Sequence, residues 1–557
     1  MSQYHRDPVK APRVKGLALK AFVAALESPL GDVVIAKIMA DSGFVRFRDQ
    51  DPGAVPPLQF PLPHPDPLPK GGKPQEMAAA VVDATSPAGA EGPETVARFV
   101  AAYREGASPV DVAARIEASV QRFAADGMGF FIARKPEELA RDAAASAARH
   151  LAKKALSVLD GVPFVIKDEL DVEGYATTLG TSWRNEIATS DCTIAARLRA
   201  AGALLVGKGN MNEIGINPIG LNPHWGVCRN PWDKTRITGG SSSASAATVA
   251  AGLAPISIGA DGGGSIRIPA ALCGVVGLKA THGRIPETGI PPLCWTPGHA
   301  GPFGRTVADV AAAYAVIAGS DGHDISSRTQ PSPSLQDFAN LDVKGLRIGV
   351  CWPWLEDADP DVVNRTKEGI KALSARGCVV VEVAPMDLNR VLWTHATIIL
   401  SEMATAMRTE IDKGVARFAY DTRTNLAIAQ RFSALDYVHA LRHRHAITKE
   451  TLETFQRVDV IASPTTATTA PPIPEDTLPD GDSNLPVVDG LMRFIRVGNL
   501  VGYPAISVPC GFDAKGLPVG FHLMGRAYEE HTLLRLARVV EMASEQRVPR
   551  SHATGLR

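Results

Sequence analysis

Along the middle of the chain, short apolar runs alternate with amphipathic stretches. VPFVIKD at 162–168 is followed by TIAARLRAAG, ALLVGKG, APISIGAD and IPAALCGVVG. Later runs repeat the theme: LRIGV at 346–350, CVVVEVA at 378–384, VDVIAS at 458–463 and AISVPCGF at 505–512. Brief apolar runs between helical segments predict an α/β architecture, with a central mixed β-sheet covered by helices.

Upstream the period changes. Val14 to Phe44 reads as two amphipathic helices, split by Pro29 and Gly31, and Lys20, Glu27, Asp32 and Lys37 interrupt every apolar run. A membrane-spanning helix is thereby excluded. The favoured expectation is that these helices pack on the core; the alternative is a peripheral membrane contact through residues 14–44. Residues 51–75 are dense in proline and predict a semi-rigid strap. Ser108 before Pro109 marks a helix start, and the Ala-rich stretch 136–157 predicts a helix. The chain thus divides into a helical appendage over 1–50, a proline-rich strap over 51–94 and one large α/β domain over 95–557, with no internal repeat.

Composition narrows the classes. With 45% hydrophobic and 21% charged residues the chain is an ordinary globular protein. Its 58 Lys and Arg against 59 Asp and Glu supply no global field for nucleic acid. Cys192, Cys228, Cys273, Cys294, Cys351, Cys378 and Cys510 form no C-x-x-C pair and have no His at zinc-ligand spacing. No metal and no cofactor are expected, and the thiols suit a reducing compartment. The first twenty residues carry no apolar secretory segment, so the expected location is cytoplasmic, with peripheral membrane association if the first helices touch lipid.

Candidate chemistry concentrates at GGSSSAS, 239–245, and GADGGGSIR, 259–267. In APISIGADGGGSIRIPAAL a strand should end near Ala260, the glycines should turn sharply, and a helix should start at Ser265 with Pro269 in its first turn. The N–H groups of Gly262, Gly263, Gly264 and Ser265 could then converge on a developing oxyanion. A phosphate cradle is the competing use, although neither phosphate-loop pattern is satisfied, and a plain flexible turn is the third reading. Lys167 ends the apolar run GVPFVIK. Desolvation there should lower its pKa toward that of a usable base. His224 beside Trp225 reads as packed structure, and His439, His443 and His445 as a solvated helix face rather than metal ligands.

Taken together, GVPFVIKD, GGSSSASAA and DGGGSIRIPAALCGVVGLKAT resemble the amidase-signature family, supported by GKGNMNEIG, RNPWD and LPVGFHLMGRAYEEHTLLRLAR. Within it the chain is most similar to the plant-type fatty acid amide hydrolases, through YDTRTNLAIAQRFSALDY and LMRFIRVGNLVGYPAISVPCGF. The resemblance implies a single large amidase-signature domain, Ser265 as nucleophile, Ser241 as a bridging serine held through a cis peptide bond, and Lys167 as the ultimate base. It implies Gly262, Gly263 and Gly264 as the oxyanion segment, and Ser242, Asp261 and Arg267 as supports behind it. Gly215, Ile216 and Asn217 would line the acyl pocket, and a homodimer is expected. Ser243-Ala244 in the turn and Ala260 before Asp261 depart from the family pattern without removing a catalytic atom. The substrate so implied is a small-molecule amide, a fatty acid amide such as an N-acylethanolamine. A broad-specificity aryl acylamidase or urethane-cleaving amidase, one component of a glutamine-dependent amidotransferase, and a non-catalytic scaffold are the alternatives.

Overall fold

The computed structural model describes residues 6, 11–57, 62–85, 94–478 and 480–556. The apolar runs assemble into an 11-stranded mixed sheet. From one edge its strands begin at Val379, Arg347, Val460, Pro518, Ala505, Val276, Ala300, Ile256, Pro163, Leu204 and Phe131. Every residue of Pro163–Lys167 and Leu204–Gly209 is buried. Helices cover both faces of these strands, which is why they read as unbroken apolar runs rather than alternating ones.

Pairing positions the site. Pro163–Lys167 runs parallel to Ile256–Ala260, with Ile166 opposite Ile258. Parallel strands end on the same side of a sheet, so Lys167 and the glycine turn after Ala260 emerge together. The serine-rich turn leads into the helix Ser243–Ala250, whose residues are all buried. Only Ala, Ser, Thr and Val occupy it, and small side chains let a helix run through the interior at close quarters.

The two expected N-terminal helices form, Gly16–Glu27 and Gly31–Asp41, with Pro29 between them. A third, Phe44–Asp49, was not foreseen. Its Phe44 ring is fully buried, 5.1 Å from both Trp393 and Phe432. Arg48 reaches Asp436 at 2.7 Å, and Arg423 reaches Glu27 at 2.5 Å. The appendage therefore packs on the core, as the favoured expectation held. It also leaves Leu17 85%, Leu30 67% and Val33 69% exposed. Among the described residues no helix is long and apolar enough to cross a membrane.

Three local expectations need correction. The strap is not linker throughout, because Pro74–Asp83 is a helix that buries Met77, Ala78, Val81 and Val82 in the main core. Residues 58–61 and 86–93 of the strap lie outside the described residues. The Ala-rich helix stops at Leu151. The histidines are not on a solvated face: His443 and His445 are buried in the helix Ala434–Phe455. His439 Nε2 lies 2.9 Å from Phe47 O, His443 Nε2 3.2 Å from Gln50 O, and His445 Nδ1 2.9 Å from Pro56 O. A segment crossing a surface outside any sheet must find donors for its carbonyls, and this helix supplies them.

Removing the Phe44 ring should loosen the appendage while sparing the sheet. Phe44→Ala should cost about 3–5 kcal/mol of docking. Hydrogen exchange should accelerate over 16–49 while the strand amides stay protected; equal loss of protection everywhere would refute separate docking.

Candidate active site

At the carboxyl end of its strand, Lys167 is 1% exposed, and its Nζ donates to Ser241 Oγ at 2.9 Å. The Gly240–Ser241 peptide is cis, as the resemblance implied. Ser242 and Ser243 face elsewhere: Ser242 Oγ donates to Ala260 O at 3.0 Å, and Ser243 Oγ to Asn210 O at 3.2 Å. Ser242 also ties the two turns together, its N–H meeting Ser265 O at 3.3 Å.

Lys167 has a second neighbour that the apolar run did not reveal. Glu169 Oε2 lies 2.5 Å from Nζ, and its side chain is 9% exposed. The apolar flanking residues therefore describe only half of the surroundings of this amine. The strand ends at Lys167 and Glu169 stands in the turn that follows, closed by Leu170 N–H on Lys167 O at 3.1 Å, so the turn brings the carboxylate back to the amine.

The glycine turn departs slightly from expectation. Its helix is Arg267–Cys273, so Ser265 stands in the turn before it, with Pro269 in the first turn. Asp261 is fully buried and organises the loop. Its Oδ1 accepts from Gly264 N at 2.5 Å and its Oδ2 from Ile266 N at 3.2 Å, while Arg267 Nε pairs with Oδ2 at 3.0 Å. Burial alone would raise the Asp261 carboxyl; the Arg267 guanidinium and the Asn499 amide outweigh it and hold the group well below the usual carboxylate range. Gly264 is thereby a correction to the oxyanion segment, because its N–H is already taken by a carboxylate. Its φ of 120° and the crowding of Ile495 and Ile268 explain the glycine. Among the described residues, the N–H groups of Gly262, Gly263 and Ser265 have no internal partner.

Two groups far off in sequence complete the support. His395 Nε2 lies 2.8 Å from Gly262 O. Burial, with the Arg496 and Arg267 guanidiniums adding, pushes the imidazole down to about 4, so near neutral pH Nε2 carries the ring proton and donates it to that carbonyl. In a trans peptide C=O and N–H point opposite ways, so fixing Gly262 O also fixes the direction of the Gly263 N–H. Arg267 in turn donates to Asn499 Oδ1 at 2.5 Å and meets His522 Nε2 at 3.1 Å.

These elements surround a cavity of about 1120 Å³. Lys167, Ser241, Ser265, Gly262 and Gly263 line it, and so do Gly215, Ile216 and Asn217, the three residues expected in the acyl pocket. Gly215 is in the left-handed region, where a Cβ would lie 3.3 Å from Ser241 Oγ. His224 is packed structure, its Nε2 2.6 Å from Glu213 Oε1. The appendage contributes Met39, Ser42, Phe47 and Gln50 to the wall.

Glu287 also faces this cavity, where burial and the nearby Asp324 and Glu169 carboxylates push its carboxyl up to about 8. A folded-state pKa above the unfolded one favours folding below the unfolded value, and that stability is lost as pH rises. Stability should therefore fall between about pH 4.5 and 8. In urea unfolding across this range Glu287→Gln should flatten the decline; an unchanged slope would exclude Glu287 as its source.

Comparison with known proteins agrees with this geometry. The Amidase family model matches residues 115–534. A fatty acid amide hydrolase of Arabidopsis thaliana is 37% identical, aligned over 97% of this chain and 94% of that protein. A fatty acid amide hydrolase of Oryza sativa subsp. japonica is 36% identical over 99% of this chain and 96% of that protein. Among solved structures, the native peptide amidase of Stenotrophomonas maltophilia superposes with a TM-score of 0.70 at 27% identity, over 83% of this chain and 98% of that one. The chain belongs to the amidase family, as a hydrolase of amide carbon–nitrogen bonds similar over nearly its whole length to plant fatty acid amide hydrolases.

Proposed function

We propose that the chain hydrolyses fatty acid amides through an acyl-enzyme on Ser265. The observation that carries this reading is the buried Lys167 amine 2.9 Å from Ser241 Oγ, in a cavity that Ser265 also lines. An amine at that distance can take the Ser241 proton, Ser241 that of Ser265, and Ser265 Oγ then attacks the amide carbonyl. No hydrogen bond joins the two hydroxyls here; without substrate such contacts are often long and tighten on binding. The Gly262, Gly263 and Ser265 N–H groups lie ready for the oxyanion. The proton returns through Ser241 to the leaving nitrogen, and water releases the acyl group.

A long acyl chain fits the cavity's size and lining. About 1120 Å³ exceeds the roughly 300–1,000 Å³ of ordinary ligand pockets. Ile216, Leu293, Ile399, Leu400 and Met403 give one part an apolar wall.

Ser265→Ala should lose at least about 1000-fold in turnover of a long-chain N-acylethanolamide while remaining folded, and Lys167→Ala should lose most of it. A fluorophosphonate probe should label the Ser265 peptide; labelling at Ser241 instead would overturn the assignment.

His395 acts at one remove, by holding Gly262. His395→Ala should lower kcat by about 10–100-fold with KM little changed, since misaligned oxyanion donors matter chiefly in the transition state. His395→Gln, whose amide can still donate, should recover much of the loss. Equal kcat in all three proteins would exclude this role.

A further inference from the structure

Arg496 differs from the other buried arginines of the site. It is 4% exposed and lines the same cavity as Ser265, Gly263 and His395. Arg267 and Arg444 satisfy their donors internally, with bonds to Asp261, Asn499, Leu500 O and Thr296 O. Among the described residues the Arg496 side chain is held by one loose ion pair, Nη1 to Asp489 Oδ1 at 3.6 Å. That carboxylate is shared. Its other oxygen accepts from Arg6 Nη1 at 3.1 Å and Arg493 Nη2 at 3.1 Å.

A guanidinium carries five N–H donors in a fixed fork, and withdrawing it from water is unfavourable unless those donors are used. Burial lowers Arg496 to about 10, against the pull of Asp489, so it remains a cation at neutral pH. It also helps depress His395, the imidazole that holds Gly262. This loosely paired guanidinium thus lies near the oxyanion loop, not at a distant rim.

The helix Leu388–Ala406 lines the cavity on either side of His395 along its length. Beyond His395 its wall residues are apolar: Ile399, Leu400 and Met403, reaching about 12 Å along the axis at 1.5 Å per residue. An acyl chain belongs there. The amine portion of the amide is then assigned to the wall residues Arg496 and Asp489, which line the same cavity.

We propose that Arg496 binds a carboxylate on the amine portion of the substrate, so that the preferred substrates are long-chain N-acyl amino acids. This deepens the amide-hydrolase reading above and rests on it. A carboxylate meets the guanidinium fork with two parallel hydrogen bonds, which a hydroxyl cannot do. The bond broken is the C–N bond of RCO–NH–CHR′–COO⁻. The acyl group passes to Ser265 Oγ, the proton reaches the departing nitrogen through Ser241, and water hydrolyses the ester to the fatty acid and the free amino acid.

The test is a matched pair, N-palmitoylglycine and N-palmitoylethanolamine, which share an acyl chain and differ in a carboxylate against a hydroxymethyl group. The wild-type enzyme should favour the glycine conjugate in kcat/KM by roughly tenfold or more, the worth of a charge-assisted pair. In Arg496→Met that ratio should fall at least about tenfold, chiefly through KM, with partial recovery in Arg496→Lys. A wild-type preference for the ethanolamide, or a ratio unchanged in a folded Arg496→Met protein, would overturn the proposal. If the wild type cleaves neither amide, the hydrolase reading itself fails at these substrates. Calorimetry on Ser265→Ala with and without Arg496→Met then decides Arg496 separately: weaker binding of the glycine conjugate alone supports it, and equal weakening of both ligands refutes it.

Discussion

The candidate site depends on one buried ion pair. Asp261 and Arg267 are both fully buried, with Nε and Oδ2 3.0 Å apart. Such a pair is a liability if any donor or acceptor is left over. Here the carboxylate takes the Gly264 and Ile266 N–H groups, and the guanidinium takes Asn499 Oδ1 and Ile495 O. The glycine turn is therefore not a flexible connection. Its conformation is set by the demand of a buried charge for partners, and Gly262, Gly263 and Ser265 are left with free N–H groups as a result.

Around that anchor, cations are handled in different ways. Lys167 lies between a hydroxyl and a carboxylate. Arg267 is fully committed to structure. Arg496 is buried with only the loose ion pair to Asp489 at 3.6 Å, which leaves a guanidinium fork less well matched than that of Arg267. A cavity with apolar wall residues and a loosely paired cation is suited to an amphiphile.

The appendage belongs to this cavity as much as to the periphery. Its third helix, FVRFRD, is too short to be stable alone and carries no capping side chain. It forms because Phe44 has Trp393 and Phe432 to pack against. Of the histidines that receive the following segment, His439 and His443 stand four apart, and that spacing shows that these two share a face. It does not show that main-chain carbonyls lie opposite.

Local sequence determined the α/β class, the positions of strands such as Pro163–Lys167 and Ile256–Ala260 though not of Phe131–Ala133, Ala300–Gly304 or Pro518–Gly525, the placement of Lys167 at a strand end and the need for glycine where the chain turns into a buried helix. Those features follow from periodicity and backbone sterics over a few residues. The family motifs added the choice of Ser241. Tertiary structure gave that choice its physical content, since three adjacent serines meet three different partners: Lys167 Nζ, Ala260 O and Asn210 O. It also decided that the Gly264 N–H is taken by Asp261, that His395 holds Gly262 from 133 residues away, and that Arg496 lines the cavity with only a loose ion pair to Asp489. A hydrogen bond across the core leaves no periodic trace in the chain, because each partner's residue type is compatible with many neighbours and only the fold selects which one it meets.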